Sequence, residues 1–141
     1  MKISFFEIHD WEVDIIKKKF RKHKLIFYPT PLTKNHLKDI SDCDIISVFI
    51  YSKINSSIID ALPKLKLVVT RSTGYDHIDY KECGKRKILV CNIPYYGENT
   101  VAEHTFALLL SLSRKIHKSY LKAMASDFSI DELKGFDLKG K

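Results

Sequence analysis

Short apolar runs alternate with amphipathic or polar stretches as far as Asn92, and this alternation predicts strands and helices in turn. Lys2 to Ile8 reads as a strand. Asp10 can cap a helix to about Arg21 that carries Trp11, Ile15, Ile16 and Phe20 on its apolar side. Lys24 to Tyr28 is a second strand, stopped by Pro29-Thr30-Pro31, and Thr33 opens a short helix to about Asp39. The run from Asp44 to Ile50 is continuous and β-branched, as suits a strand covered on both faces, and it leads into the polar loop Tyr51-Ser52-Lys53. Ser56 to Leu62 is a helix ended by Pro63. A strand from Leu67 to Thr70, a helix from Asp79 to Lys85 and a strand from Ile88 to Asn92 complete the series. Such alternation with short connections predicts an α/β fold with a mainly parallel, doubly wound five-stranded sheet in the flavodoxin-like order 2-1-3-4-5.

The pattern then changes. Asn99 reads as an N-cap, and Thr100 to Leu112 is apolar nearly all round after its first turn. Such a helix needs burial on several sides, so a second domain or a second subunit is expected against it. Glu103 and His104, near its start, read as polar groups anchoring the helix end rather than as an acid/base pair. Arg114 to about Ala125 is another amphipathic helix, with Ile116, Tyr120, Leu121 and Met124, and Ser126 to Lys141 is polar and loop-like. The chain therefore divides into residues 1–98, one α/β domain, and 99–141, helices that want a partner.

Parallel strands point their carboxyl ends one way, so the loops Tyr51–Lys53, Arg71–Gly74 and Pro94–Asn99 fall on one edge of the sheet, where open α/β sheets bind ligands. Gly74 allows positive φ or a close backbone approach, and Ser72 and Thr73 offer hydroxyls and N–H groups. Asp76 stands where a short side chain can cap the turn toward Asp79. Arg71, Lys53, Tyr51 and Tyr96 can line one crevice suited to a carboxylate or phosphate; taken singly, the arginine reads equally well as a surface charge and the tyrosines as rim residues.

At 141 residues, with 45% hydrophobic content and few glycines and prolines, the chain reads as globular, with room for one full domain. No apolar run approaches the roughly 20 residues of a membrane span and the amino terminus has no signal-peptide layout, so a cytoplasmic protein without membrane partners is expected. Cys43, Cys83 and Cys91 lack metal-ligand spacing and read as reduced, mostly buried hydrophobes. The formal charge of +7 is concentrated at Lys17, Lys18, Lys19, Arg21, Lys22 and Lys24. Without interleaved aromatics this is a solvated helix face rather than a nucleic-acid interface, and anionic substrates explain a positive balance equally well.

The runs VVTRSTGYDHID, ILVCNIP and YYGENTVAEHTFALLLSLSRKI, in that order and spacing, resemble the amino-terminal part of the D-isomer specific 2-hydroxyacid dehydrogenases. The resemblance implies a flavodoxin-like substrate domain, NAD (or NADP) as cofactor, and a homodimer built through the helix from Asn99, which also crosses into the nucleotide-binding domain. It implies that the backbone of Ser72, Thr73 and Gly74 takes the substrate carboxylate, that Thr73 and Val101 meet the cofactor, and that Tyr96 stands at the rim of the substrate site. The family's GxGxxG loop and its catalytic arginine, glutamate and histidine follow the segment matched by Leu138–Lys141. No GxGxxG occurs among the five glycines here. None of the three catalytic roles transfers to Arg71, Glu103 or His104, and the chain alone is expected to be inactive. The competing expectation is a stand-alone, non-enzymatic binding or regulatory module on the same scaffold. A phosphate-accepting receiver domain is disfavoured because the third strand ends in Tyr51-Ser52-Lys53.

Overall fold

A computed structural model describes residues Met1–Lys141, in two units, Met1–Tyr96 and Gly97–Lys141. In the first, β1 (Lys2–Phe6), β2 (Lys24–Tyr28), β3 (Ile45–Val48), β4 (Leu67–Thr70) and β5 (Leu89–Cys91) form one sheet of order β2-β1-β3-β4-β5 with every pair parallel. This is the order expected from the alternation. The register sets Ile3 beside Leu25 and Ile45, and Ile46 beside Val68. Because side chains alternate across a strand, Phe6, Ile46, Val48 and Val68 supply one apolar face and Ile3, Phe5 and Ile45 the other.

Four helices connect and cover these strands, α1 (Asp10–Lys19), α2 (Leu37–Ile40), which follows a 3-10 turn at Lys34–His36, α3 (Ser56–Asp60) and α4 (Tyr80–Lys85); a fifth, α5 (Glu98–Ser113), opens the second unit. The larger core lies on the face carrying Phe6 and takes in Ile40, Ile54, Ile58, Ile59, Leu62 and Cys83. The smaller one packs Val13 and Ile16 of α1 against Ile3, Phe5 and Ile8. Asn55 caps α3 by accepting the Ile58 N–H, and Asp79 caps α4 by accepting that of Glu82.

Several local expectations are corrected. Strand β1 stops at Phe6, because Glu7 turns into the left-handed region at φ 54°. Strand β3 stops at Val48, since the next amides bond to a side chain instead of a neighbouring strand. On α1 the inward pair is Val13 and Ile16, while Trp11 and Ile15 point to solvent at 70% and 51% exposure. The cap of that helix is His9, whose N–H donates to Glu12 at 2.8 Å, and Asp10 is already helical. Asp76 makes no capping bond; Asp79 does that work. Cys91 is exposed on the edge strand, unlike buried Cys43 and Cys83.

The second unit holds α5, α6 (Ile116–Met124) and an irregular segment to Lys141. Gly97, not Asn99, stands at the N-cap of α5. Lys115, at φ 56°, breaks the chain between the two helices. Phe136 donates its N–H to the Ser113 carbonyl at 3.0 Å, and Gly135 runs so close to that carbonyl that a Cβ would overlap it. The burial expected for the apolar helix is not found within the chain: Ser113 is the unit's one buried residue, and Phe106, Leu108 and Leu112 are more than half exposed. No helix is long and apolar enough to cross a membrane.

Candidate functional site

The carboxyl edge of the sheet is shaped by hydrogen bonds that the strand ends leave available. Beyond β4, the Arg71 N–H still donates to Val48 at 2.9 Å, and then the chain turns. Ser72, 4% exposed, shares a hydrogen bond with Thr70 Oγ1 at 2.6 Å and donates to the Gly74 carbonyl at 2.7 Å. Thr70 Oγ1 is also 3.1 Å from His77 Nε2. Burial pushes the His77 imidazole below its ordinary pKa, against the weaker pull of Glu7 and Asp76. Thr73 donates its hydroxyl to the Ile93 carbonyl at 2.9 Å, and the Asn92 amide donates to the Thr73 carbonyl at 2.8 Å. The side chains are thus spent on holding the turn. The N–H groups of Thr73 and Gly74, both exposed residues, donate to nothing in the chain. Two adjacent free amides at a strand end make a place for an anionic oxygen. Gly74 does this without positive φ, which only Gly140 among the glycines adopts, and a Cβ there would meet no atom closer than 3.9 Å.

Beside the turn lies a hollow of about 320 Å³ lined by Glu7, His9, Trp11, Glu12, Phe49, Arg71 and Ile93. It sits over the ends of β1 and β3, where the strand order reverses, the position at which doubly wound sheets bind ligands. Its apolar wall is Trp11, Phe49 and Ile93. The polar wall is internally committed. Arg71 donates to the carbonyls of Phe6 and Glu7 at 2.9 and 2.8 Å and to Ser47 Oγ at 3.1 Å, and lies 3.8 Å from the Glu12 carboxylate. Burial lowers the pKa of its guanidinium, opposed by Glu12 and Glu7, and an arginine so placed stays charged.

Glu7 holds this edge together. Its left-handed backbone costs roughly 1–2 kcal/mol for a residue with a Cβ. In return its carboxylate accepts the Phe49 N–H at 3.0 Å, the Tyr51 N–H at 2.8 Å and the hydroxyl of fully buried Ser52, which itself accepts the Leu32 N–H at 2.9 Å.

The single crevice expected between Arg71, Lys53, Tyr51 and Tyr96 is therefore corrected. Lys53 borders a different hollow, with Asn55, Asp76, His77 and Asp79, and Arg71 is a structural cation rather than a free one. Tyr51 and Tyr96 are exposed at 71% and 65%. Val101, Glu103 and His104 lie on exposed positions of the second unit. Glu7, His9 and Phe49 have no role in the sequence reading and Trp11 only one on the apolar side of the helix; an acidic residue at a strand end is the one signal for Glu7, and it is common and unspecific.

An unbonded amide pair and an apolar-walled hollow at the switch point of a doubly wound α/β sheet make this edge the candidate ligand site of the domain. The family model for the D-isomer specific 2-hydroxyacid dehydrogenase catalytic domain matches residues 3–132, and the chain belongs to that family. It is 32% identical, over its whole length, to 2-hydroxyacid dehydrogenase homolog 1 of Schizosaccharomyces pombe, covering 44% of that protein. To the D-lactate dehydrogenase of Escherichia coli it is 27% identical over 84% of the chain and 36% of that protein. The crystal structure of D-lactate dehydrogenase from Aquifex aeolicus, complexed with NAD and lactic acid, superposes with a TM-score of 0.91 at 34% identity, over 96% of this chain and 41% of that one. The chain thus spans less than half the length of these relatives.

Proposed function

We propose that this chain forms the substrate-side domain of an NAD-linked oxidoreductase that interconverts D-2-hydroxyacids and 2-oxoacids. The observation that carries the reading is the Thr73–Gly74 turn: its amides are free while every hydroxyl around them is committed. Such a turn suits a carboxylate oxygen, and the adjoining wall of Trp11, Phe49 and Ile93 suits the organic substituent of the same molecule. On this reading the backbone of Ser72, Thr73 and Gly74 holds the substrate carboxylate, Tyr96 stands at the rim, and Thr73 and Val101 meet the cofactor.

The cofactor supplies the hydride chemistry when bound. Its pyrophosphate requires a glycine-rich turn at a helix N-terminus, and the glycines here, at 74, 84, 97, 135 and 140, are too dispersed to build one. These residues hold no pyrophosphate turn, and on this reading they meet the dinucleotide only at Thr73 and Val101. Arg71 is committed to the fold, and on this reading neither it nor Glu103 or His104 has a catalytic role. The apolar surface of α5 supports a homodimer in which a second copy covers it.

The test is NADH oxidation with pyruvate and with glyoxylate, by the natural gene product that carries this sequence and by the 141-residue chain alone. Turnover is expected from the former only. Turnover by the chain alone overturns the half-site reading. An inactive gene product overturns the dehydrogenase reading in favour of a binding module.

A further inference from the structure

We propose that Glu7 is a positioning residue for the substrate site, setting through its carboxylate the loop from Phe49 to Ser52, of which Phe49 lines the hollow. The inference rests on the reading that this edge of the sheet binds the substrate.

The geometry gives Glu7 a reach that few single residues have. It lies at the end of β1, yet one of its oxygens accepts the Phe49 N–H and the Ser52 hydroxyl and the other accepts the Tyr51 N–H. These partners follow β3, 42 to 45 residues further along the chain. Without the carboxylate, the Phe49 and Tyr51 amides would have no acceptor in the chain, and β3 has already ended at Val48. The carbonyls of Phe6 and Glu7 meanwhile take both bonds from one Arg71 nitrogen, so the same turn holds the carboxyl end of β4. The ends of β1, β3 and β4 are joined at one residue. Phe49 is the hollow's aromatic wall on that loop, so a shift of the loop changes the space offered to a substrate substituent while leaving the Thr73–Gly74 amides in place.

The substitution Glu7→Gln keeps size and removes one acceptor. The amide oxygen can still serve Phe49 and Ser52, but the amide NH₂ then faces the Tyr51 N–H, donor against donor. Two measurements follow. In ¹H–¹⁵N spectra of the chain, Glu7→Gln is expected to move the Tyr51 amide upfield and to leave Thr73 and Gly74 within a line width. In the gene product, KM for pyruvate is expected to rise about tenfold with kcat changed less than about threefold, the pattern of weakened substrate binding. Leu62→Ala, which loosens the core away from this loop, serves as a stability control and is expected to leave KM unchanged. Glu7→Ala, if it folds, should give the larger KM rise. An unmoved Tyr51 amide, an unchanged KM in an active parent, or an equal KM rise in Leu62→Ala overturns the role of Glu7. An inactive parent overturns the dehydrogenase reading and the substrate role with it, and the Tyr51 shift then decides only whether the clamp exists.

Discussion

The two units of this chain are both rich in apolar residues and use them in opposite ways. In Met1–Tyr96 the fully buried set, Phe6, Ile40, Ile46, Ile59, Leu62 and Val68, comes from strands and helices spread along the sequence and closes on itself. In Gly97–Lys141, Phe106, Leu108, Leu112, Ile116, Leu121 and Met124 all stand more than half exposed. The difference lies in topology, not composition. Parallel strands with crossover helices bring two faces to one sheet, whereas two short helices and a loop offer no third layer to cover their apolar sides. An apolar residue states that it seeks burial and leaves open against what.

The sharpest way to break this contrast is to truncate one apolar side chain in each unit. Ile46→Ala, in a site with no exposure, is expected to cost about 2–5 kcal/mol in urea unfolding followed by circular dichroism. Leu108→Ala, at 53% exposure, is expected to stay within about 0.5 kcal/mol in dilute chain. Should Leu108→Ala cost as much as Ile46→Ala, α5 is covered in solution, and the loss should then grow with protein concentration if a second copy covers it.

A smaller effect separates the helices by their caps. Removing the Asn55 or Asp79 side chain by alanine substitution takes away an acceptor for the Ile58 or Glu82 N–H and is expected to cost about 1 kcal/mol each, read as a lower Tm of the main transition. Helix α5 starts at Gly97 with no side-chain cap and with open space where a Cβ would lie. Gly97→Asp should therefore add a few tenths of a kcal/mol, visible as slower exchange of the first α5 amides, without moving the main transition. A rise in the main Tm would mean that the units unfold together.

Much of the first unit was legible in the sequence because its determinants are local. Alternation pointed to a parallel doubly wound sheet, for which the flavodoxin-like order is the one found, and Pro29 closed β2 at Tyr28 where expected. The expectations that failed were those decided at a distance. Phe49 and Ile50 extend a β-branched run, yet β3 ends before them because Glu7 takes the Phe49 amide. Arg71 looked like a free cation because nothing in its own stretch reveals the Phe6 and Glu7 carbonyls that hold it. In the Ser72-Thr73-Gly74 turn the sequence offers hydroxyls, N–H groups and a glycine φ alike; the structure spends the hydroxyls, uses no positive φ and leaves the Thr73 and Gly74 amides. On α1, Trp11 and Ile15 sit one turn apart and suggest an inward stripe, but the sheet meets the helix along Val13 and Ile16.

The smallest effect is a pH dependence belonging to the first unit alone. His77 sits with Nε2 3.1 Å from Thr70 Oγ1, and desolvation disfavours its imidazolium, so its folded pKa lies below the ordinary 6.5. As pH falls, the unfolded chain takes up this proton first, so stability is full above about pH 7 and declines as pH drops below 6.5, levelling off once the folded form is also protonated. The Tm of the main transition is therefore expected to fall slightly between pH 7.5 and pH 5.5, and to fall less in His77→Gln. Asp127, in the second unit, has a carboxyl held at about 2 by hydrogen bonds from Lys122 and Ser129. Its contribution is lost only as pH drops from its ordinary 3.8 toward that value, outside the His77 window. If the decline near pH 6 persists undiminished in His77→Gln, the buried turn beneath Thr73 and Gly74 is not its source, and the coupling drawn here between His77, Thr70 and Ser72 fails with it.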